Sequence, residues 1–142
     1  AVPQSNVYTI SPRETDDANN PISEGRIGEV FRKKGLDVDQ IWSDSTKFNF
    51  STLLPIDVAY IDGNHAYEFV YKDLENTSKV VTKAIIVDDY IPSKNSPRGD
   101  ISVWGPWNKS VVRATDDFLW HHKNVFSQAY WIEETPVCVL VK

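Results

Sequence analysis

Apolar residues come in short bursts along this chain, and the spacing inside each burst predicts its element. Asn-Val-Tyr-Thr-Ile at 6–10 is a β-branched and aromatic run that predicts a strand, with a polar loop over 11–23. Residues 24–34 carry Ile27, Val30 and Phe31 at helical spacing, and Gly35 supplies a stop. A second strand is expected at 40–43, ended by Asp44, Ser45 and Thr46, and a third at 56–61. Residues 66–81 place Phe69, Val70, Leu74 and Val80 on one helical face, although Thr77 and Ser78 weaken its end. A fourth strand, short and β-branched, is expected at 84–87. The stretch 91–109 holds prolines, glycines, Trp104 and Trp107, and is too irregular for an element. A helix is predicted over 110–122 from Val111, Ala114, Phe118 and Leu119, then strands at 126–132 and 136–141 around a Glu133-Glu134-Thr135 hairpin turn.

Strand and helix alternate, and a hairpin closes the chain. That order predicts an α/β fold with a mostly parallel sheet, an antiparallel edge, and strands buried on both faces. The 142 residues suit one domain, 1–142, and 41% hydrophobic with 25% charged is an ordinary globular balance. The net charge of -5 argues against nucleic acid or an anionic membrane surface as the main partner. No apolar run approaches the roughly 20 residues that span a bilayer, and AVPQSN lacks the regions of a signal peptide. Cys138, in the run PVCVLV, reads as a buried strand cysteine; one cysteine allows no intrachain disulfide and fits a reducing, cytoplasmic setting. The chain has no methionine, so either an initiator was removed or the chain is a piece of something longer.

Two of the apolar runs end in acid. Asp62 follows the third strand, and Asp88 and Asp89 follow the fourth. In an open α/β sheet ligands bind beyond the carboxyl ends of the strands. If these strands are neighbours, about 4.8 Å apart, three carboxylates crowd one rim and repel. A hard divalent cation, Mg²⁺ or Mn²⁺, relieves that repulsion with oxygen ligands. His65, three residues past Asp62 and across Gly63, is placed to accept a proton from a hydroxyl near that ion. A ligand role for His65 is the alternative. The plainer explanation for single acids is capping: Asp62 or Asn64 could cap the helix near Ala66, and Asp89 could form a turn before Pro92. His121 and His122 are explained by the end of their helix.

The string IDGNHAYEFVYKDL, then AIIVDDY, then VVRATDDFL resembles the class I S-adenosylmethionine-dependent methyltransferases, most closely their metal-dependent O-methyltransferases. The resemblance covers about half the chain. It implies a Rossmann-like methyltransferase sheet, with Asp62, Asp88 and Asp89 on the metal and His65 as general base. It also implies S-adenosylmethionine as methyl donor and a small-molecule hydroxyl acceptor, and a homo-oligomer is compatible with it. Donor contacts would come from Ser11, where the family has an acid, from Asp44 and Ser45 after the third family strand, and from Asp62.

The chain departs from the family at the donor end. NVYTI matches the family's second strand, so the first strand, which lies between the second and fourth, and its glycine-rich loop have no counterpart here. That leaves the chain resembling a truncated domain, and leaves a second reading: a degenerate methyltransferase-like domain that binds metal or a partner without turnover. A response-regulator receiver also gathers acids on Mg²⁺, but there the acidic pair comes before the single acid rather than after it. Trp104 and Trp107 could wall an acceptor pocket or pack their loop onto the domain.

Overall fold

The computed structural model describes residues 6–12, 29–53, 55–91, 107–132 and 135–142. They fall in two compact units, Ala1–Phe48 and Asn49–Lys142.

In the first unit, strand β1 (Val7–Ser11) and strand β2 (Val38–Trp42) pair in parallel, from Val7 opposite Val38 to Ser11 opposite Trp42. Helix α1 (Glu29–Lys34) precedes β2, with Glu29 in its first turn and Arg32, Lys33 and Lys34 in its last, the arrangement that suits the helix dipole. Gly35 ends it in the left-handed region at φ 63. There the Gly35 and Leu36 amides donate to the Arg32 and Phe31 carbonyls at 3.1 and 2.9 Å. The expected start of this helix at 24–28 lies outside the described residues, as does the loop at 13–23. β2 begins at Val38, ahead of the expected 40.

The second unit opens with a single 3-10 turn, Phe50–Thr52, which the sequence pattern does not predict. Strand β3 (Ile56–Ile61), helix α2 (Tyr67–Ser78), strand β4 (Val81–Val87), helix α3 (Trp107–His121), strand β5 (Gln128–Ile132) and strand β6 (Val137–Val141) follow. The sheet order is β3-β4-β6-β5. β3 and β4 run parallel, and β6 runs antiparallel to both β4 and β5. Parallel pairs with an antiparallel C-terminal hairpin are therefore present as expected, although Glu133 and Glu134 of its turn lie outside the described residues. Among the described residues β1 pairs with β2 alone and β3 with β4 alone. No helix of the described residues is long and apolar enough to cross a membrane.

α2 ends at Ser78 rather than Val81, and β4 starts at Val81 rather than Ala84. The cause is local. The Thr77 hydroxyl donates back to the Asp73 carbonyl at 2.6 Å and the Ser78 hydroxyl to that of Glu75 at 3.0 Å. The Val80-Val81-Thr82 run beyond favours extended backbone. α3 starts at Trp107 rather than Ser110, directly after Pro106 in the sequence, a residue type suited to a helix start.

α2 and α3 pack together over one face of the sheet. Leu74, Val111, Ala114 and Phe118 meet Ile61, Ile85, Val87 and Leu140 there, with Cys138 alongside. Phe118 lies at the centre, edge-on to Tyr71 with ring centroids 5.7 Å apart and to Phe126 at 6.0 Å. Cys138 is the buried strand cysteine expected, and burial pushes its thiol up to about 12. β3 departs from the expectation of burial on both faces: Val58 and Tyr60 stay 47% and 57% exposed. Side chains alternate along a strand, and only the Ala59 and Ile61 side of β3 meets the packed core.

Candidate metal and catalytic site

Register builds the site. Ile61 stands opposite Val87 in the parallel β3–β4 pair, so both strands finish at one level. The Asp88 amide donates to the Ile61 carbonyl at 3.0 Å, which carries the ladder one step past the strands. Asp62 and the Asp88-Asp89 pair thus leave the sheet at the same rim.

The loop from Asp62 to Ala66 then turns into α2. Asn64 Oδ1 accepts the Ala66 amide at 2.9 Å, so Asn64 braces the loop just ahead of the helix. Ala66 is the N-cap and makes no side-chain cap bond, so neither Asp62 nor Asn64 caps α2 in the expected way. Gly63 does not adopt a left-handed φ. The left-handed residue at this rim is Asp89, at φ 53, in a region where Asp is among the few tolerated side chains. That backbone sends Asp88 and Asp89 in different directions.

Asp62, Asp89 and His65 converge, with one ligand atom from each within 4.8 Å of the others. His65 Nε2 lies 3.0 Å from Asp89 Oδ2 and 3.9 Å from Asp62 Oδ1. Nε2 is shut off from solvent and makes no hydrogen bond, so its closeness to Asp89 is a contact without hydrogen-bond alignment. Asp88 is not a member of this group. Its Oδ2 accepts the Tyr60 hydroxyl at 2.6 Å, and its Oδ1 accepts the Asp89 amide at 2.9 Å. Beyond the acids, Tyr90 fixes the turn, donating from its amide to the Pro136 carbonyl at 2.9 Å and from its hydroxyl to Asp116 at 2.8 Å.

Charge crowding is visible at this rim. Burial pushes the Asp89 carboxyl above its ordinary value, the negative charges of Asp88 and Asp62 push it further, and His65 opposes them. Tyr60, donating to Asp88, has its phenol raised to about 12. Two carboxylates and a buried imidazole nitrogen with no hydrogen bond form a donor set that fits a divalent cation. The raised Asp89 value also sets a pH dependence. A group whose folded pKa is raised penalises the fold when ionised, so Asp89→Asn is expected to raise the thermal midpoint of the metal-free chain at neutral pH. The gain should shrink as pH falls through the raised value and vanish below about pH 4. A thermal-melt series against pH checks this; a gain of unchanged size at low pH would contradict it.

Of the residues expected on the donor side, Asp62 lies at the rim of the second unit, and Ser11, Asp44 and Ser45 lie in the first unit. Ser11 ends β1, and its Oγ accepts from Gln40 at 3.2 Å while its carbonyl accepts the Ser43 amide at 3.0 Å. Asp44 Oδ1 accepts the Thr46 amide and hydroxyl at 3.0 and 2.7 Å, and Oδ2 pairs with Lys47 at 2.9 Å. The Thr46 hydroxyl first, then Lys47, hold the Asp44 carboxyl down to about 2. Ser11, Asp44 and Ser45 therefore share the carboxyl edge of the β1–β2 pair. Trp104 lies outside the described residues. His121 ends α3 and His122 follows it; the Tyr71 hydroxyl meets His121 Nδ1 at 3.3 Å, and the His122 ring centroid lies 4.4 Å from that of Phe118. Tyr60 is the site residue that the sequence reading misses; its one signal is its place two residues before Asp62, near the carboxyl end of β3.

Comparison with known proteins adds three findings. A family described as a methyltransferase domain matches residues 3–90. No match is found among curated protein sequences. Among solved structures, the O-methyltransferase NovP superposes with a TM-score of 0.67 at 15% identity, over 96% of this chain and 60% of its own. The SAH-bound methyltransferase PaMTH1 of Podospora anserina superposes at 0.58 with 18% identity, over 98% and 61%. This chain thus spans about three-fifths of the length of each, and at such identities the likeness establishes the fold.

Proposed function

This chain belongs to the methyltransferase-domain family, and from that premise we propose that it moves a methyl group from S-adenosylmethionine to a hydroxyl of a small organic acceptor, with a divalent cation assisting. The observation that carries the metal half is the convergence of Asp62, Asp89 and His65 at the shared rim of β3 and β4. The NovP likeness supports an oxygen acceptor. The likeness to PaMTH1, a methyltransferase bound to SAH, supports the donor class.

In this reading Asp62 and Asp89 hold Mg²⁺ or Mn²⁺, and Asp88 completes the acidic set that the family resemblance implies. The ion, when bound, lowers the pKa of the acceptor hydroxyl and neutralises the crowded carboxylates. His65 removes the hydroxyl proton. Nε2, which faces both carboxylates and makes no hydrogen bond, is the nitrogen on the side of the ion. Ser11, Asp44 and Ser45 hold the donor's nucleoside end: Ser11 Oγ accepts from Gln40 and keeps its own proton to donate. The remaining work is alignment of donor methyl, acceptor oxygen and base, which is entropic and electrostatic. Residues 1–142 are proposed to act as a single methyltransferase-like domain.

A second role for His65 rests on its buried Nε2 facing both acids: third ligand to the ion. One variant separates the two. His65→Ala is expected to leave Mn²⁺ affinity within about threefold and to lower methyl transfer by roughly 10²–10⁴-fold, the usual contribution of a general base. Collapse of Mn²⁺ affinity in that variant would make His65 a ligand. Calorimetry with S-adenosylmethionine tests the donor half. Micromolar binding is expected; none at millimolar donor would leave a metal-binding domain without transferase activity.

A further inference from the structure

We propose that Tyr60 is a positioning residue for the metal group and acts through Asp88, an inference that rests on the metal reading above. Tyr60 is the penultimate residue of β3, and Asp88 lies one step past the β4 position paired with Ile61. The Tyr60 hydroxyl therefore reaches Asp88 Oδ2, at 2.6 Å. A hydroxyl donating to a carboxylate makes a short, charge-assisted bond.

That bond fixes the Asp88 carboxylate, and its other oxygen accepts the Asp89 amide at 2.9 Å. The Asp89 amide belongs to the one non-glycine residue with left-handed backbone among the described residues, at φ 53. The left-handed turn in turn sets Asp89 Oδ2 at 3.0 Å from His65 Nε2 and inside the group with Asp62. A chain of contacts thus runs from an exposed phenol on β3, through Asp88, to the ligand oxygen of Asp89. Without the hydroxyl, Asp88 regains its rotamer freedom and the Asp89 turn loses its brace. The ion would then have to order both.

The Tyr60 ring is 57% exposed and adds nothing to the packed core, so its replacement should not unfold the chain. Outer-shell partners of metal ligands are worth about 10–100-fold in affinity, and an exposed bond belongs at the lower end. Titration calorimetry with Mn²⁺ alone, on the full chain, is the test. Tyr60→Phe is expected to weaken binding about tenfold, with Tyr60→Leu equal to it and melting temperatures unchanged. Equality of the two variants assigns the effect to the hydroxyl; a ring-packing role would spare Tyr60→Phe and penalise Tyr60→Leu. Tyr60→Phe binding within twofold of the parent, while the parent binds Mn²⁺ and Asp89→Asn does not, overturns the Tyr60 role and leaves the metal site standing. A parent chain that binds no Mn²⁺ overturns both.

Discussion

Replacing Asp88 and Asp89 together by alanine is expected to abolish divalent-ion binding, measured as complete loss of the Mn²⁺ heat in titration calorimetry. Asp89 carries one of the two carboxylates in the convergent group, and the Asp88 carboxylate braces the turn that aims it. Their joint removal leaves Asp62 and His65, too few donors for a hard ion that prefers six or more oxygens, waters included. Asp57→Ala is the control. Asp57 is an acid at the opposite end of β3, tied to Thr82 at 2.9 Å and Lys83 at 2.7 Å, and its loss should leave Mn²⁺ binding unchanged. Unchanged affinity in the double variant would refute the site.

The second large effect concerns the core under that rim. Phe118→Ala is expected to cost about 3–5 kcal/mol of stability, the range for a buried aromatic truncated where neighbours cannot collapse. Phe118 is fully buried, and its ring contacts reach Tyr71 on α2 and Phe126 just before β5. Domains are stable by about 5–15 kcal/mol, so the variant would lose much of its margin. Urea unfolding should show a lower midpoint with an unchanged slope. A loss below about 1 kcal/mol would mean that the α2–α3 layer repacks without it.

The elements whose residues carry a strong periodic signal were legible. β3 begins and ends where its apolar run does, because Pro55 bounds it on one side and Asp62 on the other. α2 and α3 were legible by face, since Leu74 and Phe118 are buried as their spacing requires. The α2–β4 boundary was harder: Thr77 and Ser78 bond back to the helix while Val81 already belongs to the sheet. Burial of β3 was over-read, because an apolar run does not reveal which of its alternating sides meets the core.

Within the site, the convergence of Asp62 with the rim of β4 could be read from strand ends and register. The different placement of Asp88 and Asp89 could not. It depends on a single left-handed φ at Asp89, a conformation that Asp tolerates but does not announce. Tyr60 was hidden for a related reason. Its partner Asp88 is 28 residues away, and only the parallel register brings the two together.

The most direct test of the account is an anomalous difference map from crystals grown with Mn²⁺. One strong peak is expected between Asp62 and Asp89, at roughly 2.0–2.3 Å from an oxygen of each. A peak elsewhere on the chain, or saturating Mn²⁺ with none at that rim, would contradict it.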